Sequence, residues 1–346
     1  MKFAHILGVA ALSFGAAFSG AAFAADINGA GASFPAPVYQ AWAAAYKEKT
    51  GTGLNYQSIG SGGGQNQIVN RTVDFGASDA PMDDAKLEKN SLLQFPTVIG
   101  SVVAIVNLGE DIPLTLNGAV LAEMYQGKIT KWNDPKIAAL NKGAKLPDLA
   151  IVPVYRSDSS GTSFVFTSYL SSASADWKSN VGAATSVQWP AGAGAKGNEG
   201  VAGTVKNTKG ALGYVEFIYA AANKLHATDL VNKAGKVVKP DVKTFMAAAS
   251  AADWAHAKNF AASMVDTAGE EAWPIVSATY ILLPKNPSNA AASAEAIKFF
   301  NWAYGEDGDA LAEKLHYIPL PNAVVEEVKK AWASEVKADG KAVWTN

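Results

Sequence analysis

The run Val154-Tyr155-Arg156-Ser157-Asp158-Ser159-Ser160-Gly161-Thr162-Ser163-Phe164-Val165-Phe166 leaves one apolar segment and enters another through a turn of hydroxyls and glycine. Residues 151–155 read as a strand, and the apolar periodicity of 164–170 predicts a helix. Free backbone N–H groups and the positive end of the helix dipole converge on the turn between them. Serine and threonine hydroxyls add donors there, and Arg156 adds a planar fork of charge. The turn therefore has the chemistry of a small-oxyanion site. The same residues also fit an ordinary helix N-cap beside a surface arginine, so other turns have to decide.

Two more turns share the pattern. Residues 29–35 form a small-residue turn that places Ser33 before a helix over 36–49, with Val38, Trp42, Ala45 and Tyr46 on one face and Gly51 as its stop. A strand over 54–59 leads through Gly60-Ser61-Gly62-Gly63-Gly64 to a helix from Gln65, and a short strand over 73–79 ends at Asp79-Ala80-Pro81. Strands and helices alternate through the rest of the chain, which predicts an α/β protein. Two long β-runs, 95–106 with a break at Gly100-Ser101 and 275–283, are natural crossover strands between two lobes. With both crossing, residues 25–100 and 281–346 build one lobe and residues 101–280 the other. Ligands of open α/β sheets sit at the carboxyl ends of strands. There Ser33, Ser61 and the 156–162 turn would surround one tetrahedral anion.

Lys2, the apolar run 6–18 and Ala22-Phe23-Ala24 read as a secretory signal over 1–24, cleaved after Ala24. The run is shorter than the about 20 residues a membrane span needs. None of the 346 residues is cysteine, which gives neither disulfides nor a lipid-modified residue at the cleavage site. These readings place a freely diffusing protein, with no direct membrane anchor, in the periplasm of a double-membraned bacterium. Loss of Lys2 leaves 28 of the 29 basic residues against 31 acidic ones, which argues against nucleic acid and anionic lipid as partners. An anion site must then rest on local donors and dipoles. No metal-ligand spacing and no GxSxG elbow occurs, and His226, His256 and His316 are widely spaced. No metal, cofactor or catalytic residue is expected. Gly192-Ala193-Gly194-Ala195-Lys196-Gly197 spells a dinucleotide fingerprint, but Trp189-Pro190 before it leaves no buried strand, and it reads as a flexible loop.

GAGASFPAPVY at 29–39, YQSIGSGGG at 56–64, VDFGASDAPM at 73–82, FPTVIG at 95–100 and RSDSSGTSFVFTSYL at 156–170 resemble, in order, the phosphate-binding proteins of Pst-type ABC importers. The glycine-rich stretch 192–200 and AWPI at 272–275 do so too. The resemblance implies a type II periplasmic-binding-protein fold of two lobes joined by two crossover strands. It implies a monomer that binds inorganic phosphate and hands it to a permease pair driven by an ATPase. Carried over position by position, it implies phosphate contacts from Ser33, Phe34 (through its amide), Ser61, Asp79, Arg156, Ser160, Gly161 and Thr162, with Asp158 pairing the arginine. Ser33 stands where many members have Thr, and Ser159 where Gly is common.

Asp79 discriminates among anions. A carboxylate beside a dianion is repulsive unless the anion brings a proton to share. Phosphate near neutral pH carries an O–H and sulfate does not, so a dry acceptor favours phosphate. The same residue also fits an Asx-turn before Ala80-Pro81. Receptors for arsenate, sulfate or molybdate, a secreted phosphoester hydrolase using Ser61 or Ser160, and an adhesion protein are the competing readings.

Overall fold

The computed structural model describes residues 26–345 of the chain. The signal segment and its cleavage after Ala24 fall outside that range. One curved sheet runs through the molecule, in the order Leu54–Ser58, Ile27–Gly31, Phe75–Ser78, Ile275–Pro284, Leu92–Val106, Ala211–Glu216, Val152–Arg156, Ala193–Ala195. The first three strands are parallel, as are the last three; the two long strands between them run antiparallel to each other and to their outer neighbours. This is an α/β fold of the two-lobed periplasmic-binding type.

Leu92–Val106 is buried at all fifteen positions, as expected of an apolar, β-branched run covered on both faces. Its first ten residues run beside Ile275–Pro284 and its last five pair with Ala211–Glu216, so the strand passes from one half of the sheet to the other. The expected break at Gly100-Ser101 does not occur. Gly100 serves a close approach instead: a Cβ there would lie 2.6 Å from the Phe34 ring. The irregularity falls earlier, where Pro96 opposes Tyr280 and Val98 opposes Thr279, leaving Thr97 as the extra residue of a bulge. Proline lacks the N–H for a regular ladder, and bulges accommodate it.

Three other expectations are corrected. Residues 29–35 are not all turn, because Ile27–Gly31 is a strand at the centre of the first parallel group. The helix expected from Gln65 spans Ser61–Val69 and takes in three glycines. Glycine is a poor helix former, but here a Cβ on Gly64 would lie 2.5 Å from Gly31 Cα, and one on Gly62 would strike Ser159. The stretch 192–200 is not a loop: Ala193–Ala195 is a short edge strand and Gly197–Asn207 a helix. That helix buries Asn198, Val201, Ala202 and Val205 on one face.

Aromatic packing fills the first half of the molecule, where Tyr39, Trp42, Phe75, Phe95, Phe299 and Phe300 are all buried. Tyr39 stacks on Trp42, and Phe300 meets Tyr39, Phe75 and Phe95 edge-on. In the second half Tyr214 stacks on Phe166 with centroids 4.2 Å apart, and Trp189 stacks on Tyr155 and Tyr214. These two aromatic cores hold the strand ends from which the candidate site is built. No helix among the described residues is long and apolar enough to cross a membrane.

Candidate functional site

The carboxyl ends of Ile27–Gly31, Phe75–Ser78 and Val152–Arg156 lead into Ser33, Asp79 and the 156–162 turn, and the structure brings all three together. Ser33, Phe34, Ser61, Asp79, Arg156, Ser160 and Thr162 are each at most 3 % exposed, and Gly161 is buried with them. Ser61 sits at their meeting point. Its Oγ accepts from the backbone N–H of Asp79 at 3.1 Å and of Gly161 at 3.0 Å, tying residues 100 positions apart. A Cβ on Gly161 would lie 2.4 Å from Ser61 Oγ and 2.6 Å from Asp79 Oδ2, so only glycine fits there.

Ser160 caps the helix Gly161–Ala173, its Oγ accepting from Ser163 N–H at 3.0 Å. The helix expected over 164–170 is thus longer at both ends, and its first turn is the turn read as an anion site. The strand end and helix start are locked by Tyr214 on the neighbouring strand. Its hydroxyl accepts from Arg156 N–H at 3.1 Å and pairs with Ser163 Oγ at 2.6 Å. Burial pushes that phenol up to about 12, so it stays protonated.

Arg156 is not the surface arginine of the simpler reading, since its side chain is 1 % exposed. Nε and Nη2 donate to the two oxygens of Asp158 at 2.8 and 2.6 Å, and Nη1 donates to Thr162 Oγ1 at 3.1 Å. Burial alone would raise the Asp158 carboxyl, but the guanidinium and the Gly197 N–H outweigh it and hold the group below its ordinary range. The pair is therefore an ionised, neutral unit. It leaves the pocket with fixed donors and little net positive charge, in keeping with the acidic balance of the chain.

Asp79 is the opposite case. Burial drives its carboxyl up to about 7, against the lowering effects of the Thr279 hydroxyl, the Arg156 charge and the Ser61 hydroxyl. Thr279 Oγ1 donates to Oδ1 at 2.7 Å. Desolvation without a direct cationic partner is what keeps a carboxyl near its titration point at neutral pH.

Phe34 lies in a turn whose backbone carbonyls are held by tyrosine hydroxyls. Tyr56, Tyr219 and Tyr317 hydroxyls donate to the carbonyls of Ala32, Ser33 and Phe34 at 2.7, 2.6 and 2.6 Å. Desolvation holds all three phenols well above the ordinary 10, so they remain donors. Three successive carbonyls of the turn are thus tied back, and the Ala32 N–H donates to Ala77 O at 3.0 Å.

Sequence reading missed Asn198, which bonds Ser33 and Thr162, as well as Thr279 and the tyrosines. A lone amide in a glycine-rich stretch and hydroxyls inside apolar strands carry no motif; only the helical period of 198, 201, 202 and 205 could have drawn attention to Asn198. His226 Nδ1 pairs with Asp111 Oδ1 at 2.8 Å and His256 Nδ1 with Asp253 Oδ1 at 2.9 Å, and neither ring is hydrogen-bonded to Ser61 or Ser160.

The PBP superfamily domain model matches residues 16–307. The phosphate-binding protein PstS of Pasteurella multocida is 49% identical over 324 residues, covering 93% of this chain and 94% of its own. That of Xylella fastidiosa is 50% identical over 313 residues, covering 90% and 86%. Among solved structures, a phosphate-binding protein from Stenotrophomonas maltophilia gives a TM-score of 0.68 at 24% identity, covering 91% of this chain and 96% of its own. PfluDING, a high-affinity periplasmic phosphate-binding protein solved with bound phosphate, gives 0.72 at 24% identity over 92% and 97%. Those two speak for the fold alone.

Proposed function

Because the chain belongs to the PstS phosphate-binding protein family of the PBP superfamily, we propose that it captures inorganic phosphate between two lobes and delivers it to an ABC importer. The importer would comprise a permease pair and an ATPase. The observation that carries this reading is the convergence of three hydroxyl-bearing turns, one neutralised guanidinium and one protonatable carboxyl on a single buried locus. Ser33, Ser61, Ser160 and Thr162 hydroxyls, the Phe34 and Gly161 amides and Arg156 grip the oxygens; Asp79 receives the anion's hydrogen; Asp158 steadies Arg156. Charge-assisted hydrogen bonds contribute about 1.5–3 kcal/mol each, and micromolar affinity needs about 8 kcal/mol. A handful of such donors suffices without a metal.

Residues 25–100 with 281–346 form lobe I and 101–280 lobe II, hinged where the two long strands cross. The bulge at Thr279/Tyr280 and the change of partner along Leu92–Val106 support those boundaries. The lobes meet in the closed arrangement through the Ser61–Gly161 bond, the bond from Gly62 N–H to Ser159 O at 3.0 Å, and the bond from Tyr219 to Ser33. The mature protein begins at Ala25, is a periplasmic monomer, and turns nothing over; Ser61 Oγ accepts from two backbone amides and lies beside the Asp79 carboxyl.

Titration of the stripped protein with phosphate, arsenate, sulfate and molybdate, followed by Trp emission and calorimetry, tests this. Saturable uptake of phosphate and arsenate with little response to sulfate or molybdate is expected. Equal uptake of sulfate, or turnover of an aromatic phosphate ester, would overturn it.

A further inference from the structure

Asn198 is fully buried and both polar atoms of its side chain are engaged. Its backbone N–H and Nδ2 both donate to Ser33 Oγ, at 3.2 and 2.9 Å, and Nδ2 also donates to Thr162 Oγ1 at 3.2 Å. Arg156 Nη1 donates to the same Thr162 oxygen. The Glu216 N–H donates to Asn198 Oδ1 at 2.9 Å, which fixes the amide with its NH2 toward the two hydroxyls. A hydroxyl has two lone pairs and one hydrogen. With both lone pairs of Ser33 and of Thr162 occupied by N–H donors, each hydroxyl has only its hydrogen left to offer. Ser61 reaches the same condition through two backbone amides.

We propose that Asn198 is a positioning residue for anion recognition, which saturates the acceptor capacity of Ser33 and Thr162 so that both hydroxyls donate to the bound anion. This rests on the phosphate reading above. Asn198 does not touch the anion; it sets the polarity of two groups that do. Without it, those oxygens regain lone pairs, and the site accepts a second P–O–H from the more protonated anion. The charged and titratable groups around it are Arg156, Asp158, Asp79, Glu199 and Glu216. All are retained in every variant below.

The test is calorimetric titration of the stripped full chain with inorganic phosphate, for the wild type, Asn198→Ala, Ser33→Ala and the double variant, at about pH 6 and about pH 8.5. Asn198→Ala is expected to weaken phosphate by about tenfold in the wild-type background and by less than about threefold when Ser33 is already alanine. Its cost is expected to be larger at the higher pH. A purely structural role predicts the same cost in both backgrounds and at both pH values, and that result overturns the proposal. Asn198→Ser replaces the alanine variant should the latter fail to fold. A wild-type protein that binds no phosphate instead refutes the functional reading, and this one with it.

Discussion

Asp79→Asn should collapse the discrimination between phosphate and sulfate. In the folded chain Oδ1 of Asp79 is taken by Thr279, while Oδ2 lies beside Gly161 and Ser61. A phosphate that donates its O–H to Oδ2 gains a charge-assisted bond of about 1.5–3 kcal/mol, and a sulfate leaves a buried acceptor unpaired at a cost of about 1–3 kcal/mol. Together these separate the two anions by about 2.5–6 kcal/mol, or roughly 60-fold to 20,000-fold at about 1.4 kcal/mol per decade. Asparagine retains an oxygen for Thr279 and turns an NH2 toward the anion, where it donates to either ligand. It also removes a negative charge from the pocket. The preference is therefore expected to shrink by at least about 60-fold, mainly through tighter sulfate binding. Competition calorimetry on stripped wild-type and variant proteins at about pH 9, where Asp79 is ionised and hydrogen phosphate keeps its hydrogen, measures it. A preference unchanged within about threefold would refute proton sharing by Asp79 as the basis of selectivity.

Other changes probe the rest of the site. The pKa of Asp79, near 7 when folded against an ordinary 3.8, means the folded state holds a proton that the unfolded chain releases in that window. Stability of the phosphate-free protein should fall as pH rises from about 4 to about 7 and level off above, by up to about 4 kcal/mol. Urea denaturation of Asp79→Asn should show a shallower slope, the remainder coming from Glu216 and Asp309, whose carboxyls burial also raises. Arg156→Ala removes the donor to Thr162 and strands Asp158, so phosphate binding should weaken at least about tenfold with the fold retained; circular dichroism with calorimetry checks both. Gly161→Ala forces a methyl into Ser61 and Asp79 across the lobe junction. Phosphate affinity should fall at least about 100-fold while the melting temperature shifts by only about 3 °C, because opening the lobes relieves the clash.

The fold was largely legible because the two long apolar runs and the strand–turn–helix units carry strong periodic signals. The site was legible where its chemistry is local: Arg156, Ser160, Gly161 and Thr162 lie within one turn. It was illegible where geometry is tertiary. Gly62, Gly63 and Gly64 argued against a helix, yet their missing side chains are what let the helix approach Ile27–Gly31 and Ser159. Gly100 resembled a break because nothing local reveals the Phe34 ring against it. Asn198 stayed hidden because its partners, Ser33 and Thr162, lie 165 and 36 residues away.

The strand Ile275–Pro284 is wedged between Phe75–Ser78 and Leu92–Val106. As the polypeptide is synthesised, Phe75–Ser78 therefore waits roughly 200 residues for its neighbour, a loop closure that makes the last step of sheet assembly non-local and slow. Until the final quarter of the chain emerges, the early strands remain an incomplete, open-edged sheet. An unfinished chain of this design stays extensible for as long as it is being made, the condition under which a polypeptide can be threaded through a narrow channel before it acquires its final shape.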